Sequence, residues 1–520
     1  MIGLKNNKFV VKHKTDILAG ASALVIGLLI HAFALTNLLQ NYDNITTSLH
    51  GFGCGVDSGR WLLSILSMGI HYFFGGYNLP WFNGFITIVI LAISAGFLNS
   101  IFGIRNNALS IILGGIFISF PTVSSTLFFR FVSMYDAFAI FLAIVSVWIL
   151  QHYKFGFILS AVCVAMSMGI YQAYFPMTTT ILIVLLMQTT LHGELTFGQI
   201  FKKALFYLGF LILALLAYFA CQKATMVILN AELNDYQGIS KMGQINIAEL
   251  PNMVAETFVT VIKLPFSDYC AVVPNVIMRA FLVPLYLFTF ICIVVLCIKR
   301  CKHFQWIWMI VFGIMFPVAI NLIRIMAPDG IVYTMMLYSF VFIYIFPIVV
   351  VNEFKHSLPL ICKRKLPSCI VTIISVILAV MIAFYAYFAN ANYTAQYYTT
   401  KQTENYFNSL MTQVRMTEGY TSSCEWAFIG DRFEDPLLSP EWDEIPLYGG
   451  NGTTYINVNA YSRTRWIITY FGYELPMASD ETVDRLKNNS IVQDMPCFPD
   501  EGSIRIIDGT VVIKLEDFDS

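Results

Sequence analysis

Apolar runs of about twenty residues recur along the first three quarters of the chain, and a run of that length is what an α-helix needs to cross a bilayer. The first extends from Ile17 to Leu39, and others follow at about 80–101, 108–127, 137–152, 155–172, 177–191, 204–227, 280–298, 304–323, 331–351 and 369–390. Eleven spanning helices are therefore expected, since a helix satisfies its own backbone hydrogen bonds where no water can. Only 12% of the 520 residues are charged, against roughly 25% in an average soluble domain, which excludes a water-soluble globule of this size. The fold class read from the sequence is an all-α polytopic membrane protein with a small α/β domain at its C-terminal end.

Charge divides the chain in two. Up to Asn390 there are 22 Lys and Arg against 12 Asp and Glu, a net of +10; after it there are 9 against 20, a net of −11. Residues 1–390 are thus expected to form the membrane body and residues 391–520 a separate domain. The acidic tail argues against nucleic acid as a partner, which requires a basic face, and a neutral partner such as a sugar fits better. Lys5, Lys8, Lys12 and Lys14 precede the first apolar run, which is too long for a signal-peptide core and is expected to be retained. Positive residues bias a flank towards the cytoplasm. Arg105, Lys154, Lys202, Lys203, Lys299, Arg300, Lys302, Lys355, Lys363, Arg364 and Lys365 all fall in alternate turns, so the N-terminus is expected inside and the tail outside the cytoplasmic membrane.

Two outward loops are long enough to hold structure. One contains the apolar segment Trp61 to Phe74 and the other a stretch from about Ile247 to Phe266, both too short to span and suited to helices lying at the interface. In the tail, Thr394 to Met416 reads as a polar helix. A strand is expected at Glu425 to Ile429, a helix near Asp480 to Asn488, and two strands, Ile504–Ile507 and Val511–Leu515, joined by Asp508-Gly509. Most of the eleven cysteines are scattered among apolar residues; only Cys424 and Cys497 could pair in an oxidising compartment. No CxxC pair or HExxH motif supports a metal site. The segment Gly51-Phe52-Gly53-Cys54-Gly55 does not match a nucleotide-binding loop, and His31, His50 and His71 do not share a helical face.

The first outer loop reads Asn41-Tyr42-Asp43-Asn44, then Asp57-Ser58-Gly59-Arg60-Trp61. A carboxylate just beyond the first span, followed by Gly-Arg before an interfacial helix, resembles the bacterial O-antigen glucosyltransferases of the serotype-converting type, within the GT-C membrane glycosyltransferases. Gly169-Ile170-Tyr171-Gln172-Ala173 and the many-span body with an external tail extend the resemblance. Members of that family commonly carry a paired acid where this chain has Asp43-Asn44. The resemblance implies a sugar donor carried on polyprenyl phosphate, a cell-envelope glycan as acceptor, and no cofactor.

For such a transfer Asp43 is the best-placed base, able to take a proton from the acceptor hydroxyl; it could equally be a loop acid satisfied by water. With one carboxylate on the attacking side, single displacement with inversion is the simpler route. Asp57 could cap the following helix or bind substrate, and Arg60, one turn into that helix, could hold a phosphate or pair with an acid. Cations near helix ends, Arg130, Arg279 and Arg324, could stabilise the leaving phosphate. Arg130 could also pair with Asp136, and Arg324 with Asp329. Gln172 could bond sugar hydroxyls or a neighbouring helix. Trp61 could stack on a sugar ring, as could Trp81 and Tyr77, although interfacial aromatics are common. A flippase or transporter of lipid-linked saccharides is the alternative, since intramembrane cations would serve it too; a non-catalytic envelope assembly protein is the third reading.

Overall fold

The computed structural model describes residues 11–47, 55–75, 78–233, 248–328, 330–357, 365–431, 447–449 and 458–517. The chain folds as two compact units, one made of Met1–Thr36, Phe52–Asn390 and Pro446–Gly450, the other of Asn37–Gly51, Ala391–Ile445 and Asn451–Ser520.

The first unit is helical. Its elements are α1 (Lys14–Thr36), then α2 (Tyr42–Thr46) belonging to the second unit, α3 (Trp61–Phe74), α4 (Pro80–Phe102), α5 (Asn107–Ser119), α6 (Pro121–Phe128), α7 (Arg130–His152), α8 (Gly156–Ile170), α9 (Phe175–Leu191), α10 (Phe197–Leu229), α11 (Leu250–Ile262), α12 (Val276–Arg300), α13 (His303–Ile320), α14 (Ile323–Met326), α15 (Phe342–Ser357) and the first part of α16 (Lys365–Met416). Among the described residues ten helical segments are long and apolar enough to cross a membrane, so the chain is a polytopic all-α membrane protein. The expected eleventh, at 155–172, is α8: it has 15 residues and gives way to a 3₁₀ turn, Gln172–Tyr174. The run at 108–127 breaks into α5 and α6 at Phe120-Pro121, where extended Phe120 precedes a proline that has no N–H to donate. The apolar stretches in the two long loops are the short helices α3 and α11.

Local chemistry sets the ends of these helices. Asn106 caps α5 by accepting from Ala108 N and Leu109 N at 3.0 and 3.2 Å, and Thr196 and Gln199 form a reciprocal capping box at the start of α10. Small residues set the closest helix crossings. A Cβ at Gly20 would stand 3.1 Å from the Ala92 carbonyl oxygen of α4, and one at Gly114 of α5 would collide with the Ala19 carbonyl of α1.

The second unit joins α2 and the latter part of α16 to a three-stranded sheet and three helices, α17 (Ala460–Phe471), α18 (Asp480–Lys487) and α19 (Ser490–Gln493). The strands are β1 (Glu425–Ile429), β2 (Ile504–Ile507) and β3 (Thr510–Lys514), in the order β1-β3-β2, with β1 parallel and β2 antiparallel to the central strand. Asp508 and Gly509, at φ +50° and +78°, make the tight hairpin turn that their sequence announces. Phe407, Leu410, Trp426, Trp466, Val511 and Ile513 form the core, with Ile45 of α2 among them. Cys424 and Cys497 are both free thiols, so the disulfide that was open from sequence is not formed.

Candidate functional site

The most constrained part of the first unit is the loop that leads into α3. Val56–Ser58 forms a single 3₁₀ turn, closed by Gly59 N–H donating to Val56 O, and neutral side chains from α10 and from the turn after α8 also donate to carbonyls of this segment. Gln222 Nε2 donates to Val56 O at 2.7 Å, Gln172 Nε2 to Ser58 O at 2.9 Å, and the Tyr218 hydroxyl to Gly59 O at 3.0 Å. Gln172 Nε2 also donates to the Tyr218 hydroxyl at 3.0 Å. Gly59 closes the turn at φ +74°, and a Cβ there would come within 2.7 Å of the Tyr218 hydroxyl and closer still to Gln172 Nε2. Only glycine meets both demands.

This anchored loop delivers Arg60 and Trp61. Arg60 is the N-cap residue of α3, not a residue one turn inside it, and the helix start has no side-chain cap. Asp57 is correspondingly not the cap of α3: its Oδ1 accepts the Gly55 N–H at 3.2 Å and so holds the turn. The Arg60 guanidinium lies 4.5 Å from the centre of the Tyr171 ring, a cation–π contact, and Tyr171 packs edge-on against Tyr174 at 5.3 Å. Trp61 is buried, and its indole covers Gly169 so closely that a Cβ there would lie 2.5 Å from the ring. Trp61 packs in the α3–α8 contact. Its indole N–H has no hydrogen-bond partner.

A carboxylate that the sequence reading paired elsewhere completes this group. Asp136 stands in α7, 3% exposed, with Oδ2 making no hydrogen bond, and Arg60 is within electrostatic reach of it. Arg130 is the first residue of the same helix, six positions earlier, a spacing that does not share a helical face; its Nε donates instead to Asn78 Oδ1 at 3.2 Å. The expected Arg130–Asp136 loop ion pair is therefore replaced by an Arg60–Asp136 neighbourhood inside the helical body. A buried ionisable group in an apolar span is costly unless a charge or task keeps it there. Tyr174, fully buried beside it, also has a hydroxyl without a hydrogen-bond partner.

Arg324 belongs to a separate group. It lies in α14, just past the Asn321 cap of α13, where Nη1 donates to Pro328 O at 3.2 Å and Nη2 is 3.8 Å from Glu256 Oε1 of α11. Asp329, its expected partner, is outside the described residues, as are Tyr77, His50 and the segment 51–54; the acid seen at Arg324 is Glu256. Beside it the loop before α12 carries Cys270 and Ala271 at φ +50° and +57°, stabilised by Asp268, whose carboxylate accepts from Ala271 N and Val273 N, both at 3.1 Å. Burial pushes the Cys270 thiol up to about 11. Arg279 turns back to its own loop, donating to Val273 O at 3.3 Å.

Asp43 falls in the second unit, in the first turn of α2, half-buried. Asn41 caps that helix by accepting from Asn44 N at 2.8 Å. Asn44, which stands where relatives of the resembled family carry a second acid, is fully buried, with Nδ2 directed to Leu39 O at 3.5 Å. It is part of the fold of this loop. Among the described residues no group of three His, Cys, Asp or Glu could hold a metal ion.

Of the residues singled out from sequence, the structure brings Asp57, Arg60, Trp61 and Gln172 together. Arg130 and Arg324 have other partners, and Asp43 lies in the other unit. Tyr174, Tyr218 and Gln222 were not singled out from sequence, and Asp136 was named only as a loop partner of Arg130. The signal for Asp136 was present, an acid inside an apolar run; a tyrosine or glutamine at a span leaves no such mark.

Comparison with known proteins finds no similar curated protein and no similar solved structure. The family described as Glucosyl transferase GtrII matches residues 32–346. That segment covers more than half of the chain and takes in Asp43, Asp57, Arg60, Trp61, Asp136, Gln172 and Arg324. The protein belongs to the GtrII glucosyl transferase family and is a membrane glycosyltransferase.

Proposed function

We propose that the protein transfers a hexose, most simply glucose, from a polyprenyl-phosphate donor to a cell-envelope glycan such as an O-antigen-like polysaccharide, on the outer face of the cytoplasmic membrane. The observation that carries this reading is the anchored Gly59-Arg60 turn, which holds a guanidinium in a fixed place at the start of α3. Guanidinium suits phosphate geometry, and the turn that carries this one is fixed by Gln172, Tyr218 and Gln222. The distribution of Lys and Arg supports a cytoplasmic N-terminus and an extracytoplasmic tail.

In this reaction Asp43 takes the proton from the acceptor hydroxyl, and the oxygen attacks the anomeric carbon from the face opposite the phosphate. The bond from that carbon to the phosphate oxygen breaks with inversion, and Arg60 and Arg324 stabilise the departing polyprenyl phosphate. Asp57 holds the turn that carries Arg60, while Gln172 anchors it. The tail serves acceptor recognition or gating.

The test is transfer from polyprenyl-phosphate glucose to an envelope glycan extract by the purified chain in liposomes, native against Asp43→Asn. Transfer that disappears in the variant, with folding and donor binding intact, supports both the activity and the base. Transfer that survives removes Asp43 from the mechanism. Native protein inactive with every lipid-linked donor, yet able to move such lipids across the bilayer, would favour a flippase instead.

A further inference from the structure

Within the second unit α2 lies against α17, and the contact has a buried and an open side. On the buried side Ile45 of α2 shares a core with Trp466 and Ile467 of α17, all three fully buried. On the open side the Thr46 and Tyr461 hydroxyls are hydrogen-bonded at 2.9 Å, and Tyr461 keeps 61% of its surface exposed. The start of α17 is fixed. Asn459 and Ser462 cap it reciprocally, and Asp431 Oδ1 accepts the Ala460 N–H. Arg463, its guanidinium 4.4 Å from the centre of the Phe428 ring, donates to Gly430 O and Asp431 O at 3.2 Å each. A tyrosine tied by its hydroxyl at one end and by a clamped backbone at the other presents its ring in one orientation.

Asp43 stands one turn before Thr46 on the same short helix. Asn44 and Ile45 are buried, whereas Asp43 and Thr46 are half-buried. Residues three apart in a helix are neighbours, with about 5–6 Å between their Cβ atoms, so Asp43 and the Thr46–Tyr461 bond share the open side of the contact. An acceptor hydroxyl close enough to give its proton to Asp43 brings the rest of its sugar ring into the space beside Tyr461. A pyranose carries C–H groups on its faces and hydroxyls around its rim. An exposed aromatic face next to a carboxylate is complementary to that pattern.

We propose that Tyr461 is the platform on which a sugar ring of the acceptor stacks, setting the hydroxyl that reacts in front of Asp43. The inference rests on Asp43 as the base and on a glycan acceptor, as proposed above, and names the side chain of the tail that recognises that acceptor. Tyr461 determines acceptor affinity and takes no part in proton transfer. Its hydroxyl is committed to Thr46, which leaves the ring face as the contact surface.

The experiment measures transfer from polyprenyl-phosphate glucose to an envelope glycan extract by the full chain in liposomes, with each substrate varied in turn. Tyr461→Ala should raise KM for the glycan about tenfold, as expected for the loss of one aromatic contact, and leave KM for the donor unchanged. Tyr461→Phe keeps the ring and loses the bond to Thr46; it should stay within about twofold of native, the worth of one exposed hydrogen bond. A phenylalanine variant as impaired as the alanine one would mean that the tyrosine serves only to hold α2, and overturns the proposal. So does an unchanged glycan KM in Tyr461→Ala, or a rise in KM for the donor instead, which would put the donor's sugar on the ring. Saturation-transfer NMR of the full chain in detergent, with the delipidated glycan extract as probe, reads binding without turnover: sugar signals should appear with the native chain and fade with Tyr461→Ala. If the native chain transfers nothing but this binding depends on Tyr461, the transferase reading fails while the saccharide platform stands. Glycan binding indifferent to Tyr461 overturns the platform whatever the transfer assay shows.

Discussion

Replacing Gly59 by alanine should be among the most damaging single-methyl changes this chain can undergo. The new Cβ costs about 1–2 kcal/mol simply by entering the left-handed region, where Gly59 sits at φ +74°. It also overlaps Gln172 Nε2 and stands 2.7 Å from the Tyr218 hydroxyl, so both side chains must withdraw. Their withdrawal gives up bonds of 2.9, 3.0 and 3.0 Å to Ser58 O, Tyr218 and Gly59 O, each worth about 0.5–1.5 kcal/mol net. The expected total is about 2.5–6.5 kcal/mol. Thermal unfolding of the purified protein in detergent reads the loss, and a double-mutant cycle separates its parts. Gln172→Ala removes the obstruction, so Gly59→Ala should cost about 1–2 kcal/mol less in that background than in the native one. Additive losses, or a Gly59→Ala protein within about 0.5 kcal/mol of native, would refute the argument that the amide frame holds this turn.

Other expectations follow from charged groups in each unit. Arg60→Gln leaves the Asp136 carboxylate, 3% exposed, without the cation nearest in effect to it, and should cost about 1–3 kcal/mol; adding Asp136→Asn should recover part of that, measured by the same unfolding assay. His192, just past α9, is hydrogen-bonded to Glu353 at 3.0 Å, and this bond raises its pKa above 6.5. A folded value above the unfolded one stabilises fully below pH 6.5 and loses that contribution as pH rises through the raised value, so the unfolding temperature should decline over that interval, and less so in His192→Gln. In the second unit Lys514, 1% exposed, donates to Gln493 O and Met495 O at 2.8 and 2.7 Å. Lys514→Ala strands the buried Met495 carbonyl and should cost about 1–3 kcal/mol; limited proteolysis of the tail would report it.

The membrane body could be read from sequence because hydrocarbon imposes one requirement on every segment, and a long apolar run answers it. The departures arise where a local rule overrides that pattern. Pro121 divides one run into α5 and α6, and α8 ends at Ile170, so that Gln172 leaves the helix and reaches the Val56–Ser58 turn. In the tail, Asp508-Gly509 and the flanking β-branched residues announced their hairpin, while α17 went unread because Ala460–Phe471 mixes charged, aromatic and small residues and its apolar side faces a core assembled from distant segments. The candidate site was legible only in part. Arg60 and Gln172 were singled out, but nothing in their sequence neighbourhoods says that they share a turn, since residues 114 positions apart meet there.

That long-range meeting explains why the frame is made of amides and hydroxyls. Three carbonyls of one turn, Val56, Ser58 and Gly59, take side-chain donors inside a largely apolar body. Lysine or arginine donors would bring charges whose desolvation costs several kcal/mol each and would add positive charge beside Arg60. Gln222, Gln172 and Tyr218 supply the same hydrogen bonds without either effect. The field around the turn is then set by Arg60 and Asp136, the pair that the frame holds within reach of each other. A lysine introduced at position 172 would test this logic directly: it could still donate to Ser58 O, yet its charge should weaken the Arg60–Asp136 attraction, and the protein should be less stable than the neutral Gln172→Ala variant. Greater stability with lysine would mean that hydrogen bonding alone, and not charge balance, selected the frame.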